Sequence, residues 1–261
     1  MPQPSLDGLA GLPMKTKITN RHHLLILAEL RKHAKKASDS QLQKMKSYIG
    51  TTKPFYLMQT GVERQIARDW VRKHPDLSRD ECVELLTSLY RGDSHNEICM
   101  ASRLLGSAKI RKNVAPRFID AWLSRVEGWA ETDSICQSNF SGEEVLAKWE
   151  EWENLLKKLV FDENVHKRRA SLVLLTRPVR ESADRRLADL AFANIDRLMC
   201  ERSILITKAI SWLLRDLIKN HRQRVAAYLD ENEALLPRIA VRETRNKLLT
   251  GRKCRGTAFA P

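Results

Sequence analysis

The chain has 261 residues, 43% of them apolar, enough to bury one substantial core or a stack of repeats without disulfides. Forty-six basic residues against 32 acidic ones give a net charge of +14 and a sequence pI near 9.8, which favours polyanions as partners: nucleic acid first, membrane surfaces and acidic proteins after it. No long uncharged apolar run and no basic-then-apolar leader occur, and the five cysteines are odd in number and form no CxxC pair, so neither a spanning helix nor a processed leader is expected, and nothing suggests a zinc or redox site. A soluble protein with reduced thiols in the cytoplasm is expected.

Residues 1–17, rich in Pro and Gly, are expected to be mobile, followed by a single domain over 18–250. Within it, apolar residues recur at three- and four-residue spacing almost from end to end, and strand-like alternation is nearly absent. The fold class is all-α. Helices are predicted near 20–36, 39–49, 61–73, 79–90, 94–106, 116–126, 130–138, 142–159, 163–176, 181–198, 201–219, 221–230 and 237–249. Ser38 with Gln41, Ser78 with Glu81 and Ser141 with Glu144 form capping boxes at three of the starts. Breaks fall at Gly50 to Pro54, His74 to Asp76, Arg91 to Asp93, Gly106, Gly128 and Arg177-Pro178. Short links between helices imply antiparallel neighbours, the pattern of a right-handed solenoid of HEAT-like or ARM-like helix pairs with a basic concave face; a compact bundle is the competing architecture. The tail, 251–261, carries Arg252, Lys253 and Arg255 and is expected to be mobile.

Three places carry candidate chemistry. Trp129 and Asp133 stand four apart on a predicted helix, so an aromatic face and a carboxylate share one side, suited to a cationic or charge-developing group. The same spacing suits a packed Trp and an Asp near the positive end of the helix dipole, and the local sequence favours that plainer reading. In ERSILITKAISWLLRDLIK, Trp212 lies well off the apolar stripe of Ile206, Ile210, Leu213, Leu214 and Leu217, on the side of Lys208 and Arg215. That places it in a nucleic-acid groove or against a neighbouring repeat. Residues 166–186 hold seven Lys or Arg against two acids, a phosphate-binding cluster or a solvated face. Trp149, Trp152, Leu156 and Leu159 follow core spacing. His22, His23, Glu29 and His33 share a helix without metal-ligand geometry. There is no phosphate-cradling Gly loop, nucleophile elbow or HExxH, which favours chemistry without metal or cofactor.

In order and separation, the segments YIGTTKPFYLMQTGVERQIARDW, GWAETDS, DENVHKRRASLVLL and KAISWLLRDL resemble the AlkD-like family of HEAT-like-repeat DNA alkylation repair glycosylases. The resemblance spans roughly residues 20–250. It implies that Trp129 and Trp212 cradle the deoxyribose of a damaged nucleotide, that Asp133 is the catalytic carboxylate and that Arg169 is the active-site arginine, with adjacent Arg168 leaving that register open by one residue. Lys53, Lys167, Arg168, Lys208 and Arg215 are then expected on DNA. The implied reaction hydrolyses the N-glycosidic bond of N3- or N7-alkylated purines in double-stranded DNA, without metal or cofactor and as a monomer. The sequence departs from the family pattern at His166, where Trp is common, and in LMQTGVE. Two alternatives stay open: a non-catalytic helical-repeat binder of DNA, RNA or acidic protein, and a family member redirected to branched DNA.

Overall fold

A computed structural model describes residues 18–137 and 139–252. The expectations for residues 1–17, and for the tail beyond Arg252, lie outside the described residues. Among the described residues the chain forms fourteen helices and no strand: α1 Arg21–His33, α2 Asp39–Ile49, α3 Thr60–Lys73, α4 Arg79–Tyr90, α5 His95–Leu105, α6 Ala108–Arg111, α7 Pro116–Leu123, α8 Gly128–Cys136, α9 Gly142–Ala147, α10 Trp149–Leu159, α11 Val165–Glu181, α12 Arg185–Leu198, α13 Ile204–Asn232 and α14 Arg238–Thr250. All three expected capping boxes are present, at α2, α4 and α9, each satisfying two backbone donors that a helix start leaves open. A fourth, Ser94 with Glu97, opens α5.

Successive contacts run α1 to α3 to α5 to α8 to α11 to α13 to α14, forming one layer; α4, α7, α10 and α12 pack behind it. One cluster of buried side chains extends from Ile26 to Val241 along this stack. Burial of such side chains, at about 1.5–3 kcal/mol each before entropy is subtracted, supplies the main force holding neighbouring pairs together.

Four boundaries differ from the sequence pattern. The expected helix over 142–159 is divided at Lys148, which leaves helical geometry at φ −127° and ψ 45°. The short helix α6 has no apolar repeat long enough to announce it. The expected stop at Arg177-Pro178 is overridden, and α11 continues through Pro178 to Glu181. Proline there removes one helix hydrogen bond near the end, and Asn220 of α13 donates to the carbonyls of Val179, Arg180 and Ser182 at 2.9, 3.1 and 3.2 Å. Lastly, the helices expected over 201–219 and 221–230 form one element, α13, kinked at His221 (φ −133°, ψ 37°).

The start of α8 is fixed by backbone fit. Gly128 has φ +68°, and a Cβ there would lie 2.2 Å from the Ile49 carbonyl oxygen and 2.4 Å from that of Gly50. Only glycine lets α2 end directly against α8. The indole of Trp129 then donates to the Tyr48 carbonyl at 2.7 Å, and the two aromatic rings meet edge to face at 5.5 Å.

Candidate active site

Asp133 and Arg169 lie 36 residues apart and meet where α8 packs on α11. Arg169 Nε donates to Asp133 Oδ1 at 2.8 Å and its Nη2 to Oδ2 at 2.7 Å, a parallel two-bond fork. Its third nitrogen, Nη1, donates to the Leu205 carbonyl in the first turn of α13. The pair thus ties three helices of one layer together. Asp133 is 8% exposed and Arg169 5%, so each charge depends on the other for compensation.

Trp129 is half-buried one turn before Asp133, about 6 Å back along the α8 axis. On α13, Leu205, Lys208, Trp212 and Arg215 fall on one face at helical spacing, which puts Trp212 about 10 Å along the axis from the carbonyl that holds Arg169. Trp212 is half-buried against the core and Lys208 is exposed. Arg215 folds back, donating to the Ser211 carbonyl at 2.9 Å and lying 3.4 Å from Glu243 of α14.

An open cavity of about 900 Å³ adjoins Asp133. Its walls come from α3, α5, α6 and α8, and they carry Arg64, Arg68, Arg72, Arg103 and Lys109. Arg64, Arg68 and Arg72 are exposed and four apart, so one face of α3 presents three guanidinium groups to the side on which Asp133 opens. Sequence reasoning missed this stripe. Its signal was the spacing in VERQIARDWVRK, where acids and Gln between the arginines mask the charge of one face.

Three of the residues expected on DNA carry ion pairs within the fold. Lys53 Nζ lies 3.0 Å from Glu131 and 3.4 Å from Glu127. Lys167 Nζ sits between Asp120 at 2.7 Å and Asp162 at 3.2 Å. Arg168 pairs with Glu201 at 2.7 Å and also donates to the carbonyls of Asp162 and Glu163. In the free protein their charges are paired within the fold, because the loop after α2 that carries Lys53 and the start of α11 that carries the other two pack against acid-bearing neighbours. Of the adjacent arginines 168 and 169, it is Arg169 that reaches Asp133.

His166, at the departure from the family pattern, clamps the start of α8. Its Nε2 accepts from the Gly128 N–H at 3.3 Å, and its Nδ1 lies 3.2 Å from the Thr132 hydroxyl, which donates to the Gly128 carbonyl at 2.8 Å. This arrangement uses the neutral imidazole with its proton on Nδ1. Burial lowers the pKa of His166, consistent with that form.

Beside it, fully buried Glu131 accepts from His95 Nδ1 at 3.0 Å, the Thr51 hydroxyl at 3.1 Å, Lys53 Nζ at 3.0 Å and the Glu127 N–H at 2.7 Å. Burial works against its charge, but these donors outweigh it and hold its carboxyl below the usual range. Among the described residues there is no cluster of His, Cys, Asp and Glu arranged to hold a metal ion, and no helix long and apolar enough to cross a membrane.

The sequence profile of the DNA alkylation repair enzymes matches residues 26–248. The chain belongs to the DNA alkylation repair enzyme family. Membership supports a role in the repair of alkylated DNA. A similar solved structure is the predicted DNA alkylation repair enzyme from Enterococcus faecalis, 18% identical, with a TM-score of 0.65 over 86% of this chain and 98% of that one. That likeness establishes the all-helical fold of this family member. No curated protein matches the chain.

Proposed function

We propose that this DNA alkylation repair family member is a glycosylase that removes cationic N3- or N7-alkylated purines from duplex DNA. The observation that carries this reading is Asp133, held by the two-bond fork of Arg169 at the wall of an arginine-lined cavity. Alkylation at N3 or N7 makes the purine a good leaving group, which departs with the glycosidic electron pair as a neutral base. The remaining barrier is positive charge developing on the deoxyribose, and a fixed carboxylate lowers it.

The fork occupies one edge of the carboxylate and fixes its orientation. Each oxygen retains a second lone pair, free to accept from the attacking water or to face C1′ of the sugar. Arg169 is therefore a positioning residue, and Asp133 the group that acts on the reacting atoms. The faces of Trp129 and Trp212 add attraction for the same developing charge. Arg64, Arg68 and Arg72, with Lys208 on α13, hold phosphates to either side. The reaction uses water alone, without metal or cofactor, and one chain suffices.

The test is release of 7-methylguanine or 3-methyladenine from alkylated duplex DNA, identified by chromatography. Asp133→Asn keeps the shape of the pair and should bind DNA normally while losing base release by about 100-fold or more, the scale of a lost electrostatic contact to a transition state. Equal activity in that variant refutes the mechanism. One observation favours a second reading, a non-catalytic DNA binder: Asp133 is already neutralised by Arg169. Under that reading wild-type protein binds alkylated and plain duplex alike and releases no base.

A further inference from the structure

On a wall of the cavity that Asp133 also lines, three chemically matched side chains line up across α5 and α8. Cys99 Sγ lies 3.3 Å from His95 Nε2, and His95 Nδ1 lies 3.0 Å from Glu131 Oε1. His95 and Cys99 are one turn apart on α5, so the helix fixes their approach. Glu131 is inaccessible to solvent and anchored by Thr51, Lys53 and the Glu127 backbone, so it holds the imidazole in one orientation. A thiol against an imidazole that a carboxylate orients is the arrangement that activates a cysteine nucleophile. Cys99 also lines the cavity that carries Arg64, Arg68, Arg72 and Arg103.

We propose that Cys99 is a nucleophilic thiolate, activated by His95 and oriented through Glu131, that is alkylated by small electrophiles entering the arginine-lined cavity, those bearing an anionic group most readily. The thiol proton resides on His95 Nε2. The Sγ lone pair forms a carbon–sulfur bond to the electrophilic carbon as the bond from that carbon to its leaving group breaks, and the leaving group departs as an anion with the electron pair. The product is a thioether, formed once per molecule.

The surroundings favour the separated charges. From α8, Glu131 and Asp133 face this region; from α3, Arg64, Arg68 and the Glu63 carboxylate, which pairs with Arg103; from α4, the buried Tyr90; from α6, Lys109; and from the loop after α2, Lys53, bound to Glu131. Burial opposes a charged His95, but hydrogen bonds to Cys99 and Glu131 outweigh it and raise its pKa. Cys82 and Cys136 differ: burial raises both thiols, and neither is within hydrogen-bond distance of an imidazole. Exposed Cys200 serves as an internal reference.

The full-length protein is treated with iodoacetate or iodoacetamide at pH 6 and pH 8, and labelling is followed at each cysteine by peptide mass spectrometry. A free thiol in solution reacts about 100-fold faster at the higher pH, following its thiolate fraction, and exposed Cys200 is measured alongside as the reference within the protein. With His95 against its sulfur, Cys99 should change less than about threefold, and should favour iodoacetate over iodoacetamide more strongly than Cys200 does. His95→Asn should restore the steep dependence. Should that variant fail to fold, Cys99→Ser supplies an independent readout, loss of one thiolate's ultraviolet absorbance at pH 7. Cys99 that stays unlabelled, Cys99 that follows the slope of Cys200, or an unchanged absorbance in Cys99→Ser overturns the proposal.

Discussion

Two basic regions of this molecule use the same residue types in opposite ways. The start of α11 packs Lys167, Arg168 and Arg169 into consecutive positions, and every one of these charges ends on a carboxylate of the fold. On α3, Arg64, Arg68 and Arg72 are diluted among neutral and acidic neighbours, yet they stay exposed along one cavity wall. Arg68 and Arg72 reach only Gln65 and Asp69 of their own helix, and such solvated pairs are worth little. Charge density along the chain therefore does not report charge available to a phosphate. Burial decides it: a cation entering a helix contact must bring a partner, while a cation at helical spacing on an open face need not.

The largest effect expected from this contrast comes from removing a spent charge. Arg169→Ala leaves Asp133 buried beside no cation, and loss of one partner of a buried pair costs on the order of 3–5 kcal/mol. Urea unfolding should show that loss, with Arg169→Lys intermediate because a point charge cannot reproduce the fork. A loss below about 1 kcal/mol would mean that water reaches Asp133 freely.

Backbone fit comes next. Gly128→Ala adds a Cβ into the Ile49 and Gly50 carbonyls at a positive φ, and a cost of about 2 kcal/mol or more is expected in the same measurement. Gly61→Ala serves as its control, since a Cβ there meets nothing within 4 Å. As Gly128 sets the approach of Trp129 to Tyr48, its variant should also release less base than its stability loss explains.

Helices, three of the capping boxes and most boundaries were legible in the sequence, because caps and three-to-four spacing are local signals. The stop expected at Pro178 was not, since its cost is offset by Asn220, 42 positions further on. Trp129 and Asp133 could be paired by spacing alone. The fork from Arg169, the anchoring of Glu131 by His95 and Thr51, and the capture of Lys53 each join residues at least 36 apart, and no local pattern encodes them. His95 with Cys99 is the converse case: the one-turn spacing was visible, but it acquires chemical meaning only when Glu131 is placed behind the imidazole.

A pH series probes the spent charges collectively. His95 is pushed up from 6.5 to about 10, against its burial, by Cys99 and Glu131. A raised pKa stabilises the fold fully below about pH 6.5, and that contribution is lost as pH rises toward 10. Glu131 is lowered by its donors, so its contribution is present above its ordinary value of 4.5 and disappears as pH falls through its folded value. Stability should therefore decline on both sides of neutrality, and His95→Gln should flatten the alkaline limb of the urea midpoints.

The smallest effects distinguish the two regions most directly. Each phosphate contact removed should reduce the slope of log K against log salt by about 0.9 for duplex DNA. Replacing Arg64, Arg68 and Arg72 with Ala, singly and together, should lower that slope stepwise with little change in melting temperature, because the contacts that Arg68 and Arg72 make are solvated pairs within their own helix. Lys167→Met and Arg168→Gln should do the reverse, reducing stability while leaving the slope unchanged, since their charges already face Asp120, Asp162 and Glu201. A slope that falls on Arg168→Gln and holds on Arg64→Ala would invert the assignment. It would mean that DNA binding opens the α11 pairs, with phosphates displacing carboxylates that the free protein keeps in place.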